Sequence, residues 1–72
     1  MHAFGQFIAE NRRTRGLTQR ELAESLHVTD KAVSKWERGL SYPDVTLLEP
    51  LAAKLELTVA GLMACRRQEV PG

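Results

Sequence analysis

Two lysines, Lys31 and Lys35, stand four residues apart in a segment whose apolar residues recur with a helical period. Side chains at positions i and i+4 of a helix lie on the same face, so both ammonium groups would project together. Ammonium groups donate hydrogen bonds, and guanine O6 and N7 accept them in the major groove of B-DNA, which admits an α-helix. The lysine pair therefore indicates a face that can read G·C base pairs.

The segment around these lysines divides into an inward and an outward face. The apolar residues that should turn inward are Ala32, Val33 and Trp36. The outward face then comprises Asp30, Lys31, Ser34, Lys35 and Arg38. The Asp30 carboxylate could accept from cytosine N4, exclude a wrong base, or interact with the positive end of the helix dipole. The residues expected to read bases are Thr29, at the N-terminal tip, Asp30, Lys31 and Lys35.

A second group of polar residues is placed to contact the DNA backbone. Gln19 stands at the first turn of the preceding helix, where its amide and the free backbone N–H groups can bind a phosphate. Arg38 and Tyr42 flank the loop that follows the lysine-bearing helix. The alternative for each residue is a solvated polar side chain. The expected phosphate contacts are Gln19, Arg20, Ser34, Arg38 and Tyr42.

Two short amphipathic helices must position these side chains. Thr18 and Glu21 form a T-x-x-E capping box, which predicts a helix that begins near Gln19. Its apolar stripe consists of Leu22, Ala23 and Leu26.

The second of these helices is predicted over residues 30–38, with Thr29 at its start and Gly39 at its end. His27 occupies the turn between the two helices, at a position that takes positive φ and usually holds glycine, which histidine tolerates better than most residues. Two helices at this spacing, over residues 18–38, are the helix-turn-helix signature and point to DNA.

Three further helices are expected around this pair. Phe4, Phe7 and Ile8 predict a first helix over residues 3–15, closed by Gly16. The apolar residues of a fourth helix are Leu47, Leu48, Leu51, Ala52 and Leu55.

The start of the fourth helix has two candidates, Asp44 and Thr46. A start at Asp44 places Pro50 beyond the first turn, where it costs about 3 kcal/mol unless the helix bends. A start at Thr46 leaves Pro50 at the edge of the first turn. We favour the earlier start with a bend.

Thr58 is expected to cap a short fifth helix through residue 64 that presents Val59, Leu62 and Met63. Residues 66–72 are predicted to be a flexible tail, which leaves residues 1–65 as the domain. The chain shows no repeats and no strand-like alternation. The fold class is all-α, a compact bundle of five helices.

Length and composition exclude several classes of protein. The chain of 72 residues suffices for one domain, and 43% hydrophobic with 26% charged residues is typical of a folded globular protein. No stretch approaches the roughly 18 apolar residues of a membrane span, and no signal sequence is visible, so we expect a cytoplasmic protein. The chain has one cysteine, Cys65, and two histidines, His2 and His27. Their spacing matches neither a metal site nor a nucleophilic catalytic site. We expect an inert Cys65, no enzyme, no metal and no cofactor.

The net charge of +1 conceals a gradient along the chain. Residues 11–38 carry seven basic and four acidic side chains, a net charge of +3. Residues 39–65 carry one basic and three acidic side chains, a net charge of −2. The first half therefore suits a phosphate surface, and the second half should turn away from it.

The order of three segments, TQRELA, VTDKAVSKWERG and LEPLAAKLELTVAGLM, resembles the Cro and phage-repressor type of helix-turn-helix proteins over residues 4–63. The resemblance implies a lambda-repressor-like bundle of five helices that binds operator DNA as a two-fold dimer. It also implies phosphate contact at Gln19, base reading at the four residues given above, and an ion pair between Arg12 and Glu37 that ties the first helix to the recognition helix. His27 and Asn11 depart from the type, where glycine and an apolar residue are common, and both should lower stability.

The predicted function is sequence-specific binding of double-stranded DNA by a transcriptional regulator, a repressor that acts as a homodimer. One recognition helix offers little specificity, and the half-sites of a dimer lie about 34 Å apart. About eight phosphate contacts per dimer predict a slope near −7 for log affinity against log salt, from about −0.9 per contact. The candidates for the dimer interface are Leu62, Met63 and the exposed part of the fifth helix, or else these residues close the core.

Two alternatives stay open at this point. An antitoxin that represses its own operon would bind DNA and also a toxin protein. A protein-interaction module would have lost DNA contact, although the outward Lys31 and Lys35 argue against that loss. The chain could also be one domain of a longer regulator.

Overall fold

The computed structural model describes residues 3–67, with side chains from Phe4 to Ala64. Over this range the chain forms only helices: α1 (Ala3–Thr14), α2 (Gln19–Ser25), α3 (Asp30–Glu37), α4 (Val45–Lys54) and α5 (Val59–Arg67). The predicted all-α bundle of five helices is confirmed, with α2 and α3 as its helix-turn-helix. No helix in the described range is long and apolar enough to cross a membrane.

The predicted helix starts rest on caps that the structure forms. The Thr18 hydroxyl accepts from Glu21 N at 3.0 Å, and the Glu21 carboxylate accepts from Thr18 N at 2.8 Å, which completes the capping box. Thr29 accepts from Ala32 N at 3.2 Å and opens α3. Thr58 accepts from Gly61 N at 3.0 Å and opens α5.

The fourth helix takes the earlier of its two possible starts. The Asp44 carboxylate caps it by accepting from Thr46 N at 3.2 Å and from the Thr46 hydroxyl at 2.6 Å. These two hydrogen bonds lower the pKa of Asp44 below its usual value. Pro50 lies inside the helix on its exposed side, where it cannot donate the helical hydrogen bond to Thr46 O.

The fifth helix is longer than predicted and continues to Arg67, two residues into the segment expected to be a tail. The remaining part of that segment, residues 68–72, lies outside the described residues. His2 and the side chain of Cys65 lie outside them too, so the expectation for Cys65 stays a prediction.

One apolar core joins all five helices. Its most deeply buried side chains are Phe4, Ile8, Leu22, Val33, Leu51, Leu55 and Leu62. Trp36, at 4% exposure, also belongs to it, as its helical phase predicted. Leu62 is fully buried, which corrects its place among the interface candidates, because a side chain inside the core has no surface left for a second copy.

A single glycine sets the packing of α1 on α3. A Cβ on Gly5 would stand 2.5 Å from both Trp36 O and Glu37 O, closer than real Cβ atoms approach. The α1 backbone therefore contacts the C-terminal end of α3 directly, and this contact positions α3 against α1.

The chain uses one helix joint three times, between α1 and α2, α2 and α3, and α4 and α5. In each joint a residue with positive φ is followed by an apolar residue and then by a threonine that caps the next helix. The apolar N–H closes each joint by donating to a carbonyl five residues earlier, from Leu17 to Arg12 at 3.1 Å, Val28 to Ala23 at 3.0 Å and Leu57 to Ala52 at 2.7 Å. The positive-φ residues are Gly16 (φ 69°), His27 (φ 59°) and Glu56 (φ 58°).

These joints show where the sequence was informative and where it was not. The positive φ expected of His27 is confirmed, whereas that of Glu56 was missed. The shared unit has only one identical residue, the threonine, so it is too short to be recognised as a repeat.

Candidate nucleic-acid interface

The outward face of α3 is polar and open, as the helical spacing predicted. Asp30, Lys31, Lys35 and Arg38 are exposed, and Ser34 is half-buried beside them. The hydroxyl oxygen of Thr29 is occupied as the helix cap, which leaves its O–H proton free to donate. The face thus presents two ammonium groups, a guanidinium, two hydroxyls and one carboxylate.

The basic side chains fall into two groups by their partners. Arg12, Arg15 and Arg20 pair with Glu37, Glu56 and Glu24. The other basic side chains of residues 4–64 make no ion pair, and they are Arg13, Lys31, Lys35, Arg38 and Lys54. Three of these five belong to α3 or its C-terminal cap, so positive charge without an ion-pair partner gathers at α3.

A buried network holds α3 in place. Arg12 Nε donates to Glu37 Oε2 at 2.7 Å and Arg12 Nη2 to Glu37 Oε1 at 3.2 Å, with side-chain exposures of only 12% and 6%. Arg12 Nη1 also donates to Leu17 O at 2.8 Å. Gln19 Nε2 adds a bond of 2.9 Å to Glu37 Oε1. One carboxylate at the end of α3 therefore fixes α1, the first joint and the start of α2.

Gln19 is less free than the sequence suggested. It is half-buried, and one of its two amide N–H donors is used by Glu37. The second amide N–H and the backbone at the start of α2 remain as donors to a phosphate. The network orients this side chain before any ligand arrives.

An open groove of about 380 Å³ runs between α1 and α3 and ends at α2. It brings together three predicted phosphate contacts, Gln19, Ser34 and Arg38. Glu37, predicted to pair with Arg12, also lines it, and the lining residues that sequence reasoning missed as site residues are Gln6, Ala9, Glu10 and Arg13. The sequence did indicate that the four α1 residues lie together, because residues 6, 9, 10 and 13 have the i, i+3, i+4, i+7 spacing of one helix face.

Two predicted phosphate contacts lie apart from this groove. Arg20 pairs with Glu24 at 3.6 Å on a surface where its side chain is 80% exposed. Tyr42 is half exposed and lies over the Phe4 ring, with 5.2 Å between the ring centroids. Their contact with DNA stays a prediction.

Metal-ligating residues do not gather in the part of the chain that the structure describes, where no group of three or more His, Cys, Asp or Glu side chains could hold an ion.

Known proteins share both the sequence pattern and the fold. The profile of the helix-turn-helix family matches residues 8–62. The transcriptional activator BcrR of Enterococcus faecalis is 34% identical over 61 residues, which cover 85% of this chain. This chain spans only 30% of the length of BcrR.

Two solved structures illustrate the likeness in fold. The P22 c2 repressor, solved with a synthetic operator, superposes with a TM-score of 0.80 at 26% identity over 86% of this chain and 94% of its own. The N-terminal DNA-binding domain of SinR from Bacillus subtilis gives a TM-score of 0.76 at 34% identity over 88% and 93%.

Proposed function

Because the chain belongs to the helix-turn-helix family of the Cro and phage-repressor type, we propose that it is a sequence-specific DNA-binding regulator of transcription. The observation that carries this proposal is the outward face of α3, where Lys31, Lys35 and Arg38 are exposed without an ion-pair partner. Charged donors without an ion-pair partner are available to base edges and phosphates. Arg38 Nε donates to Ser34 O at 3.4 Å, which leaves the Nη groups of Arg38 for DNA. The protein is then a binding module and not an enzyme, and it acts in the cytoplasm on DNA.

The roles of the side chains follow from their positions on α3. Lys31 and Lys35 donate to guanine O6 and N7, and Thr29 donates its hydroxyl proton near the start of the helix. Asp30 makes no hydrogen bond or ion pair with the described side chains, so its carboxylate is available to cytosine N4. The contacts proposed for phosphates are Gln19, Arg20, Ser34, Arg38 and Tyr42.

We propose that the protein represses and that it binds as a homodimer. A domain that covers promoter DNA blocks transcription without contacting any other protein, whereas activation requires such a contact. Two copies on a two-fold site double the number of bases read, with recognition helices about one helical turn, or roughly 34 Å, apart.

Selection of binding sites from random duplex DNA tests this function. Wild type should yield a two-fold-symmetric motif with G·C pairs in each half, and K31A/K35A should lose it. Lys54→Ala is the matched control, because Lys54 is also exposed and unpaired among the described side chains but lies at the end of α4. The absence of a motif from wild type, or a motif that survives in K31A/K35A, would refute recognition through α3.

A further inference from the structure

We propose that the groove between α1 and α3 binds a backbone phosphate of the DNA, held by Arg13 from one wall and Arg38 from the other. This inference rests on the proposed DNA-binding function and adds a contact from α1, which the residues assigned above do not include. The ligand class is a phosphodiester of duplex DNA, read through its charge and not through its sequence.

The groove has the position that such a contact requires. One wall is the α1 face that carries Gln6, Glu10 and Arg13, and the other is formed by Ser34 and Arg38. Those two residues border the outward face of α3, which is proposed to enter the major groove. A strand that flanks the major groove would therefore pass the mouth of this groove.

The charges around the groove favour an anion. Arg13 and Arg38 make no ion pair with the described side chains, whereas Glu37 in the floor is neutralised by Arg12 at 2.7 Å. A guanidinium presents a planar fork of N–H donors that matches two phosphate oxygens. Arg38 Nε donates to Ser34 O at 3.4 Å, but its Nη groups remain. Together with the Arg13 guanidinium, the Gln6 amide and the Ser34 hydroxyl, which line the same groove, they provide enough donors for one phosphodiester.

Glu10 lies on the same α1 wall as Arg13 and opposes this attraction. Its carboxylate lowers the positive potential at the mouth of the groove, so we assign it the role of weakening the phosphate contact. Neutralising Glu10 should strengthen DNA binding, whereas neutralising Arg13 should weaken it.

Arg13 and Lys54 provide a matched pair for the test. Both are exposed basic residues without an ion-pair partner among the described side chains, but Arg13 lines the groove, whereas Lys54 lies at the end of α4 and outside the groove. Affinity for a selected duplex and for a random duplex would be measured by fluorescence anisotropy between about 50 and about 400 mM KCl.

Arg13→Gln should make the slope of log affinity against log salt shallower by about 0.9 per protomer, equivalent to an affinity loss of about 8-fold at 0.1 M relative to 1 M salt. The loss should be equal on both duplexes. Lys54→Gln should change neither slope, and Glu10→Gln should raise affinity about threefold at low salt through the removal of one repulsive charge. Circular dichroism melting checks that all three variants remain folded.

Three results would overturn the inference. Arg13→Gln could leave the slope of wild type unchanged, or it could lower affinity only on the selected duplex, which would make Arg13 a base-reading or positioning residue. It could also lower binding to a protein partner while DNA binding is untouched. A wild-type slope shallower than about −2 would instead refute the proposed DNA-binding function itself, so the two failures are distinguishable.

Discussion

The charge on the inner side of α3 is buried and paired, whereas the charges on its outer side are exposed and make no ion pair with the described side chains. At the inner side Glu37 is 6% exposed and accepts hydrogen bonds from Arg12 and Gln19. On the outer side Lys31 and Lys35 are exposed and have no ion-pair partner among the described residues. A buried charge must be paired to be tolerated, whereas an exposed charge costs little and can meet a ligand. One helix thus separates the charge that positions it from the charges that bind.

The largest effect should follow from breaking the inner side. Glu37→Ala leaves the Arg12 guanidinium buried without its carboxylate, so the free energy of unfolding should fall by about 3–5 kcal/mol. Lys35→Ala removes a charge from the outer side and should change the free energy of unfolding by no more than about 0.5 kcal/mol. Urea denaturation of both variants measures the difference. Equal losses would mean that the two sides do not differ in their contribution to folding.

A smaller effect is expected at the joint that leads into α3. His27→Gly removes a side chain from a positive-φ position and should raise the free energy of unfolding by about 1 kcal/mol. Glu56→Gly makes the same change in the joint before α5, away from α3, and should stabilise by a similar amount if the loss of its contact with Arg15 at 3.6 Å is small. Thermal melts compare the two variants with wild type.

The DNA motif selected by His27→Gly should match that of wild type, because the substitution leaves the outward side chains of α3 unchanged. An altered motif would show that the joint contributes to recognition and would weaken the separation between the two sides of the helix.

The smallest effect concerns Asp44, an exposed carboxylate whose partners both lie in Thr46. Its pKa is lowered in the folded state, so its stabilising contribution is present above the ordinary pKa of about 3.9 and is lost as pH falls through the lowered value. Asp44→Asn should remove this part of the acid dependence of stability. Equilibrium unfolding between about pH 2 and about pH 6 measures it, and an unchanged pH profile would contradict the assignment.

Local signals in the sequence were sufficient for the helices. The capping box of Thr18 and Glu21, the Thr29 cap and the apolar spacing around Trp36 involve residues within one or two helical turns of each other. Such signals predicted where α2 and α3 begin and which of their side chains turn inward. They failed at Glu56, because glutamate has no preference for positive φ and its residue type therefore gives no sign of this conformation.

The sequence by itself determined the helix-turn-helix, the family and the polar face of α3, because all three depend on neighbours along the chain. The family resemblance implied the pair of Arg12 with Glu37, whereas only the tertiary structure decided which of the other arginines make ion pairs and which line the groove. Arg12 and Arg13 are adjacent, yet one is buried against Glu37 and the other lines an open groove. The rotation of α1 against α3 determines whether Arg12 or Arg13 meets Glu37. Gly5 and the apolar core set this rotation through contacts between residues far apart in sequence.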